Sequence, residues 1–173
     1  MSFAYPSYLK PLEYYSLSPQ KEVLERVSAA KERGKKIVIV SGVFDLLHAA
    51  HQEYLRQAKL QGDYLVVLLE SDIRTKELKG EGRPIWDQNK RKDEILKLGL
   101  VDEVLILPPE FKNPLRYEEI TILLAPDVYA VSSNSVALDH KTKMMQKYGG
   151  EMKIVLNEIP GISTTTILTK STE

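Results

Sequence analysis

Two histidines three residues apart, His48 and His51, stand in the stretch Ser41-Gly42-Val43-Phe44-Asp45-Leu46-Leu47-His48-Ala49-Ala50-His51, and the chain has only three histidines in all. At that spacing two imidazoles on a helix share nearly one face. Both can then reach one anionic group and donate hydrogen bonds as charge builds on phosphate oxygens during phosphoryl or nucleotidyl transfer. The glycine ahead of them, Gly42, permits close approach of backbone to a phosphate. A helix opening at this point adds free N–H groups and a partial positive charge. The turn Gly42, Val43, Phe44 and Asp45, with His48 and His51, is therefore a candidate triphosphate cradle. Two other readings of the pair stand beside this one. One is a surface histidine next to a hydrogen-bonded core histidine. The other is a zinc site, which no cysteine or suitably spaced carboxylate completes.

A second set is cationic. Lys76, Lys79, Arg83 and Arg91 follow the next apolar segment, with Gly80 and Gly82 among them. Lysine as a point charge and arginine as a fork both suit triphosphate oxygens; a solvated charged face is the plainer alternative. Asp72 and Trp86 flank this set, with Trp86 placed to stack on a ring or to join the core. A third set is Gly161, Ile162, Ser163, Thr164 and Thr165, whose hydroxyls and N–H groups at a helix start are neutral phosphate partners; here the plainer alternative is capping by Ser163. Ser133 and Asn134 could hydrogen-bond a base or a sugar.

The elements that must position these residues follow from the apolar pattern. Ser18-Pro19 reads as an N-cap with proline at the first helical position, and Val23, Leu24, Val27 and Ala30 give a helical stripe that Gly34 ends. The continuous run Ile37 to Val40 suits a parallel strand covered on both faces. Further strands are expected at Tyr64 to Leu69, Glu103 to Leu107, Val128 to Val131 and Lys153 to Leu156. Helices are expected at His48 to Leu60, Gln88 to Leu98, Tyr117 to Leu124 and Leu138 to Tyr148, with a last one at Ser163 to Thr169. Glu70 to Trp86 is expected to be loop. Alternation of this kind predicts an α/β, Rossmann-like three-layer fold with a five-stranded parallel sheet. Ligands in such sheets sit outside the carboxyl ends of the strands, where all three sets fall.

The bulk numbers constrain the rest. A chain of 173 residues suggests one domain, here 18–173, preceded by an arm over 1–17 that carries Phe3, Tyr5, Tyr8, Tyr14 and Tyr15. The arm is expected to lay its rings on the body or on a second subunit. Lys plus Arg and Asp plus Glu are 24 each, so overall charge makes no case for nucleic acid or an anionic membrane. Without cysteine there are no disulfides and no thiolate metal sites. No apolar run reaches spanning length and no signal pattern opens the chain, so a cytoplasmic location is expected by default.

Gly-x-Phe-Asp-Leu-Leu-His-x-x-His resembles the nucleotidyltransferase superfamily with the HxGH motif, over about Ser18 to Ile167. Within it the chain is most similar to glycerol-3-phosphate cytidylyltransferases and to heptose-phosphate adenylyltransferases. Lys79-Gly80-Glu81-Gly82-Arg83-Pro84-Ile85 looks like the adenylyltransferase loop, and Gly161 to Thr165 like the Gly-x-Ser-Thr-Thr motif. The resemblance implies that His48 and His51 bind the triphosphate and stabilise the transition state. It implies that Lys79 and Arg91 neutralise phosphates, and that Ser163 to Thr165 hold the β and γ phosphates. It further implies Mg²⁺ carried by the nucleotide, a homodimer, and transfer from ATP to a sugar phosphate with release of pyrophosphate. CTP with glycerol phosphate or a similar alcohol phosphate is the alternative, and a non-catalytic nucleotide sensor is the alternative of another kind. Three positions depart from the pattern. Ala50 stands where relatives carry glycine, and Asn157 where cytidylyltransferases carry arginine. Ala130 to Ser135 lacks the usual glycines and acid.

Overall fold

Ile37, Val38, Ile39 and Val40 are completely buried, and the strand they begin is the middle of the sheet. The structure, a computed structural model of the chain, describes residues 19–109 and 114–157. The aromatic arm, the Gly161 to Thr165 motif and the expected helix at Ser163 to Thr169 lie outside the described residues. Within them the strands are β1 (Ile37–Gly42), β2 (Tyr64–Leu69), β3 (Glu103–Ile106), β4 (Val128–Ser132) and β5 (Glu151–Leu156). The helices are α1 (Pro19–Glu32), α2 (Ala49–Lys59), α3 (Asp72–Lys79), α4 (Gln88–Lys97), α5 (Pro114–Leu124) and α6 (Leu138–Lys147). All strand pairs are parallel, in the order β3-β2-β1-β4-β5. The α/β three-layer expectation is met, with its five strands.

Strand side chains alternate between faces, and here both faces are apolar. Ile37, Ile39, Val66, Leu68, Tyr129 and Val131 pack with Val23 and Val27 of α1, Ile120 and Leu124 of α5, and Met144 and Met145 of α6. Val38, Val40, Leu65, Val67, Leu69 and Ala130 pack with Tyr54, Leu55 and Ala58 of α2 and Ile95 of α4. This is why the strands read as unbroken apolar runs. At the amino edge, three aspartates hold strand starts. Asp127 Oδ2 accepts from Ile37 N (2.6 Å), Asp102 Oδ2 from Leu65 N (2.7 Å) and Asp63 Oδ2 from Lys36 N (2.8 Å).

The chain builds outward from β1 to β2 and β3, then crosses to the other side of β1 for β4 and β5. The reversal falls between β1 and β4, the point where open α/β sheets bind ligands. There β1 and β4 pair at Val38–Val128 and Ile39–Tyr129, although β1 runs on to Gly42 and β4 to Ser132.

One expectation is corrected. Glu70 to Trp86 is not all loop, because α3 occupies Asp72–Lys79, with Ser71 as N-cap accepting from Arg74 N at 3.3 Å. Its one fully buried residue is Thr75, so it carries no apolar stripe for sequence periodicity to detect. Smaller shifts are that α2 begins at Ala49 with His48 as its N-cap, α5 begins at Pro114 and β5 at Glu151. No helix among the described residues is long and apolar enough to cross a membrane.

The turn from α2 to β2 lies against the start of β1. A Cβ on Gly62 would meet Lys36 O and Val38 Cγ2, both at 2.7 Å. Gly62→Ala is expected to lower the unfolding free energy by about 1–3 kcal/mol in urea titrations, since backbone must shift to admit the methyl.

Candidate functional site

Phe44 sets the shape of the loop after β1. Its φ is +48°, in the left-handed region, and its ring is buried. The ring folds back over Gly42, where a Cβ would stand 2.8 Å from Phe44 Cε2. Glycine at 42 therefore has a packing reason of its own. The same ring lies against His51 (centroids 5.2 Å apart) and stacks with Tyr54 (6.4 Å, 15°). Tyr54 in turn donates to Ala130 O at 2.8 Å, tying α2 to β4.

His48 is extended (φ −110°, ψ 172°), and His51 lies in the first turn of α2. Their rings stack, with centroids 3.8 Å apart and planes 19° apart. His51 Nδ1 lies 3.0 Å from Leu46 O. A carbonyl only accepts, so this contact puts the proton on Nδ1 and leaves Nε2 without one in the neutral ring. His51 is pushed down to about 4, chiefly by burial and also by the neighbouring His48 and Lys79, with the Leu46 carbonyl and Asp45 opposing them. Burial also lowers His48, whose Nδ1 is buried and has no hydrogen-bond partner among the described residues. The pair is thus held neutral beside the orphan N–H groups of the first turn of α2. An incoming polyanion would supply what the site lacks, a negative charge that favours protonated imidazoles.

Two buried residues lock the second loop to the first. Asp45 Oδ2 accepts from Arg83 Nη1 (2.6 Å), and Asp45 Oδ1 from the N–H groups of Ile85 (2.7 Å) and Trp86 (3.4 Å). The Arg83–Asp45 pair is 14% and 4% exposed, and a buried pair of this kind needs such extra hydrogen bonds to offset desolvation. Arg91 is 0% exposed. Its Nε donates to Trp86 O (3.0 Å), Nη1 to Val43 O (2.6 Å) and Nη2 to Asp72 Oδ1 (2.7 Å). Sequence reasoning placed Arg91 on phosphates. The structure places its guanidinium on three protein oxygens, which makes it a positioning residue for both loops and for the start of α3. Asp45 and Arg83, expected at the nucleotide, hold each other in the same way.

Lys79 is exposed at the end of α3, and its charge is felt at His51. Lys76 instead pairs with exposed Glu81 at 3.1 Å. Trp86 is half-buried beneath Lys90 Nζ, 5.5 Å from its ring centroid. Across the switch point, Ser133 N donates to Leu156 O (2.9 Å), and Ser132 Oγ donates to Asn134 Oδ1 (2.7 Å). The first two sequence-derived sets thus come together through Asp45 and Arg91, while Ser133 and Asn134 stand apart on the β4 side.

Sequence reasoning missed a polar group on the opposite sheet face at the same carboxyl edge. Ser41, Glu70, Tyr117, Tyr129 and Lys141 belong to it. Ser41 Oγ and Tyr129 Oη are 2.7 Å apart, Lys141 Nζ lies 5.3 Å over the Tyr129 ring, and Tyr117 Oη donates to Glu70 Oε1. Burial raises Glu70 above the usual carboxylate range, opposed by the Tyr117 hydrogen bond and by the charges of Arg74, Arg91 and Lys141. The available signal was a glutamate directly after the apolar run Tyr64 to Leu69.

Two outcomes are expected from this geometry. Because the folded-state value of His51 lies below its ordinary 6.5, protonation favours the unfolded chain. Its contribution to stability is complete above about 6.5 and is lost as pH falls from there to about 4. NMR of the ligand-free protein should titrate His51 near the lower value, and urea midpoints should fall more across this window in the wild type than in His51→Gln. Arg91→Met should destabilise by about 3 kcal/mol by urea unfolding, the low end for breaking a buried pair, because Asp72 is 37% exposed and regains water. A loss no larger than that of an exposed control such as Lys143→Met would refute the positioning role.

Comparison with known proteins gives a consistent family. The cytidylyltransferase-like family model matches residues 39–170. The bifunctional protein HldE of Proteus mirabilis is 36% identical over 155 residues, covering 89% of this chain and 31% of that protein. The HldE of Geobacter metallireducens is 39% identical over 145 residues, covering 83% and 28%. The chain therefore spans about a third of the length of these relatives. A solved lipopolysaccharide core biosynthesis protein of Thermoplasma volcanium superposes with a TM-score of 0.58 at 27% identity, over 73% of this chain and 98% of that one. The chain belongs to the cytidylyltransferase-like family of nucleotidyltransferases.

Proposed function

We propose that the chain transfers AMP from ATP to the phosphate of a sugar phosphate and releases pyrophosphate. The observation that carries this is the stacked, neutral His48–His51 pair at the opening of α2, on the carboxyl edge beside the strand-order reversal. The likeness of Lys79 to Ile85 to heptose-phosphate adenylyltransferases supports ATP over CTP. The likeness to a lipopolysaccharide core biosynthesis protein supports a sugar-type acceptor.

The reaction is an in-line displacement. An acceptor phosphate oxygen attacks the α-phosphorus, a new P–O bond forms, and the bond to the pyrophosphate oxygen breaks. No covalent enzyme intermediate is required. The protein orients the groups and stabilises the charge. Triphosphate oxygens meet the first N–H groups of α2 and the outward Nε2 atoms of the histidines, and the anion draws a proton onto them. Leu46 O holds the His51 ring in orientation throughout. Lys79 supplies a mobile cation near His51, and the Asp45–Arg83 and Arg91 ties keep its loop in place. Ser163, Thr164 and Thr165 complete the phosphate site in this proposal. Ser133 and Asn134 serve the base or sugar from the β4 side. Mg²⁺ carried by the nucleotide would lower the charge on its phosphates. Among the described residues no three His, Cys, Asp or Glu side chains gather as a ligand set. A homodimer, suggested by the family resemblance, and a cytoplasmic location, expected by default, form part of the proposal.

Pyrophosphate release tests it, with ATP or CTP against sugar 1-phosphates and glycerol 3-phosphate. ATP with a sugar phosphate should give the highest kcat/KM, and His48→Ala or His51→Ala should each lower kcat by about 10²–10³-fold, as loss of one transition-state donor does. Preference for CTP with glycerol phosphate would replace the acceptor and base assignments. An absence of turnover while ATP still raises the melting temperature would favour a sensor, to which the altered Ser132 to Ser135 loop is suited.

A further inference from the structure

Glu70 is the first residue past β2, and its N–H donates to Gly42 O at 3.1 Å, so it borders the loop that leads to the histidines. Its side chain follows the parity of Val66 and Leu68 and enters the α1/α5/α6 face. It is 7% exposed. Tyr117 occupies Oε1, but Oε2 is buried and has no partner among the described residues. A buried carboxylate oxygen without a donor is costly. The surrounding groups that could serve it are engaged elsewhere. Lys141 Nζ donates to Ser135 Oγ at 2.7 Å, and Tyr129 and Ser41 bond each other. Arg74 is close enough for its charge to act on Glu70, yet its Nε is also buried and unpartnered, while its Nη1 pairs with Glu77 at 3.2 Å.

Each orphan needs one half of a hydrogen bond. Oε2 needs a donor and Nε needs an acceptor, and a hydroxyl is both. An ammonium could serve only the first, and a phosphate would be repelled by the carboxylate. We propose that Glu70 is the specificity-determining residue of the acceptor site, its Oε2 accepting a hydrogen bond from a sugar hydroxyl that in turn accepts from Arg74 Nε. This rests on the acceptor being a hydroxylated phosphate. It also orients that acceptor. The phosphate lies toward Lys79 and the α2 terminus, and the hydroxylated carbons reach over the ends of β1 and β2 into the polar group around Glu70. A site whose buried polar atoms require a hydroxyl rejects analogues that lack it more strongly than an apolar pocket would.

The test measures wild type, Glu70→Gln and Glu70→Met with the sugar 1-phosphate turned over best and with its monodeoxy analogues. Thermal melts and the KM for ATP serve as controls for folding, and Glu70→Gln preserves size should the methionine variant melt early. The wild type should discriminate against one deoxy position by roughly 10–100-fold. The variants should raise acceptor KM by a similar factor, lose that single discrimination, and keep KM for ATP within about twofold, a pattern that loss of a purely structural hydrogen bond does not produce. Unchanged acceptor KM and unchanged ranking of the analogues would overturn the proposal and leave Oε2 to a resident water. Calorimetry of the same sugar phosphates reads the site independently of catalysis. If wild type turns over no acceptor but binds one, and Glu70→Gln binds it at least about tenfold more weakly, the transfer reaction fails and the Glu70 site stands. If wild type binds none, the Glu70 site fails as well.

Discussion

A fully buried guanidinium cannot be left short of partners, and Arg91 is the point where this requirement organises the molecule. Its three hydrogen bonds run to Val43 O in the β1–α2 loop, to Trp86 O in the loop ahead of α4, and to Asp72 at the start of α3. Each is a group that sequence alone leaves free to move. Removing any of them would strand a charge in the interior, so the carboxyl edge is held as one unit. Asp45 repeats the logic with the opposite sign, one carboxylate serving Arg83 and two backbone N–H groups. Rigid placement of a catalytic turn is what orientation-driven catalysis needs. The chain achieves it with one buried cation and one buried anion, each surrounded by hydrogen bonds.

Burial also tunes the histidines. A ring packed against Phe44 and stacked on a second imidazole resists protonation, so the pair would enter the proposed reaction neutral. The α2 terminus supplies partial positive charge without a formal cation. In the proposed reaction a triphosphate changes that balance, because its charge stabilises the imidazolium forms. Stabilisation then arises where negative charge develops rather than in the free protein.

The two faces of the carboxyl edge carry different polar groups. On the α2 side lie the helix terminus, the histidines and Lys79. On the α5/α6 side lie Glu70, the tyrosines and Lys141. In the proposed reaction this separation sorts an acceptor by its own chemistry, its phosphate to one side and its hydroxyls to the other. Both groups lie at the carboxyl edge of the sheet, whose strand order reverses between β1 and β4.

The apolar runs of β1 and β2, the stripe of α1 and the histidine turn at the opening of α2 were all legible in the sequence, because burial on both faces and helix-start chemistry are local demands. They sufficed for the α/β class, the five parallel strands and the placing of the histidine turn at the carboxyl edge of β1. What the sequence left undecided depends on distant partners. The short helix α3 has no apolar stripe, so it stands on Ser71 as its cap and on packing. The charge of Arg91 reads the same on a surface as in a core, and only the convergence of Val43, Asp72 and Trp86 around it turned a presumed phosphate ligand into a strut. Glu70 looked like the end of a strand until its neighbours across the sheet were in place. Sequence by itself determined which residues could handle a phosphate. The tertiary structure decided which of them remain free to do so, because a buried charge must first satisfy its own hydrogen bonds.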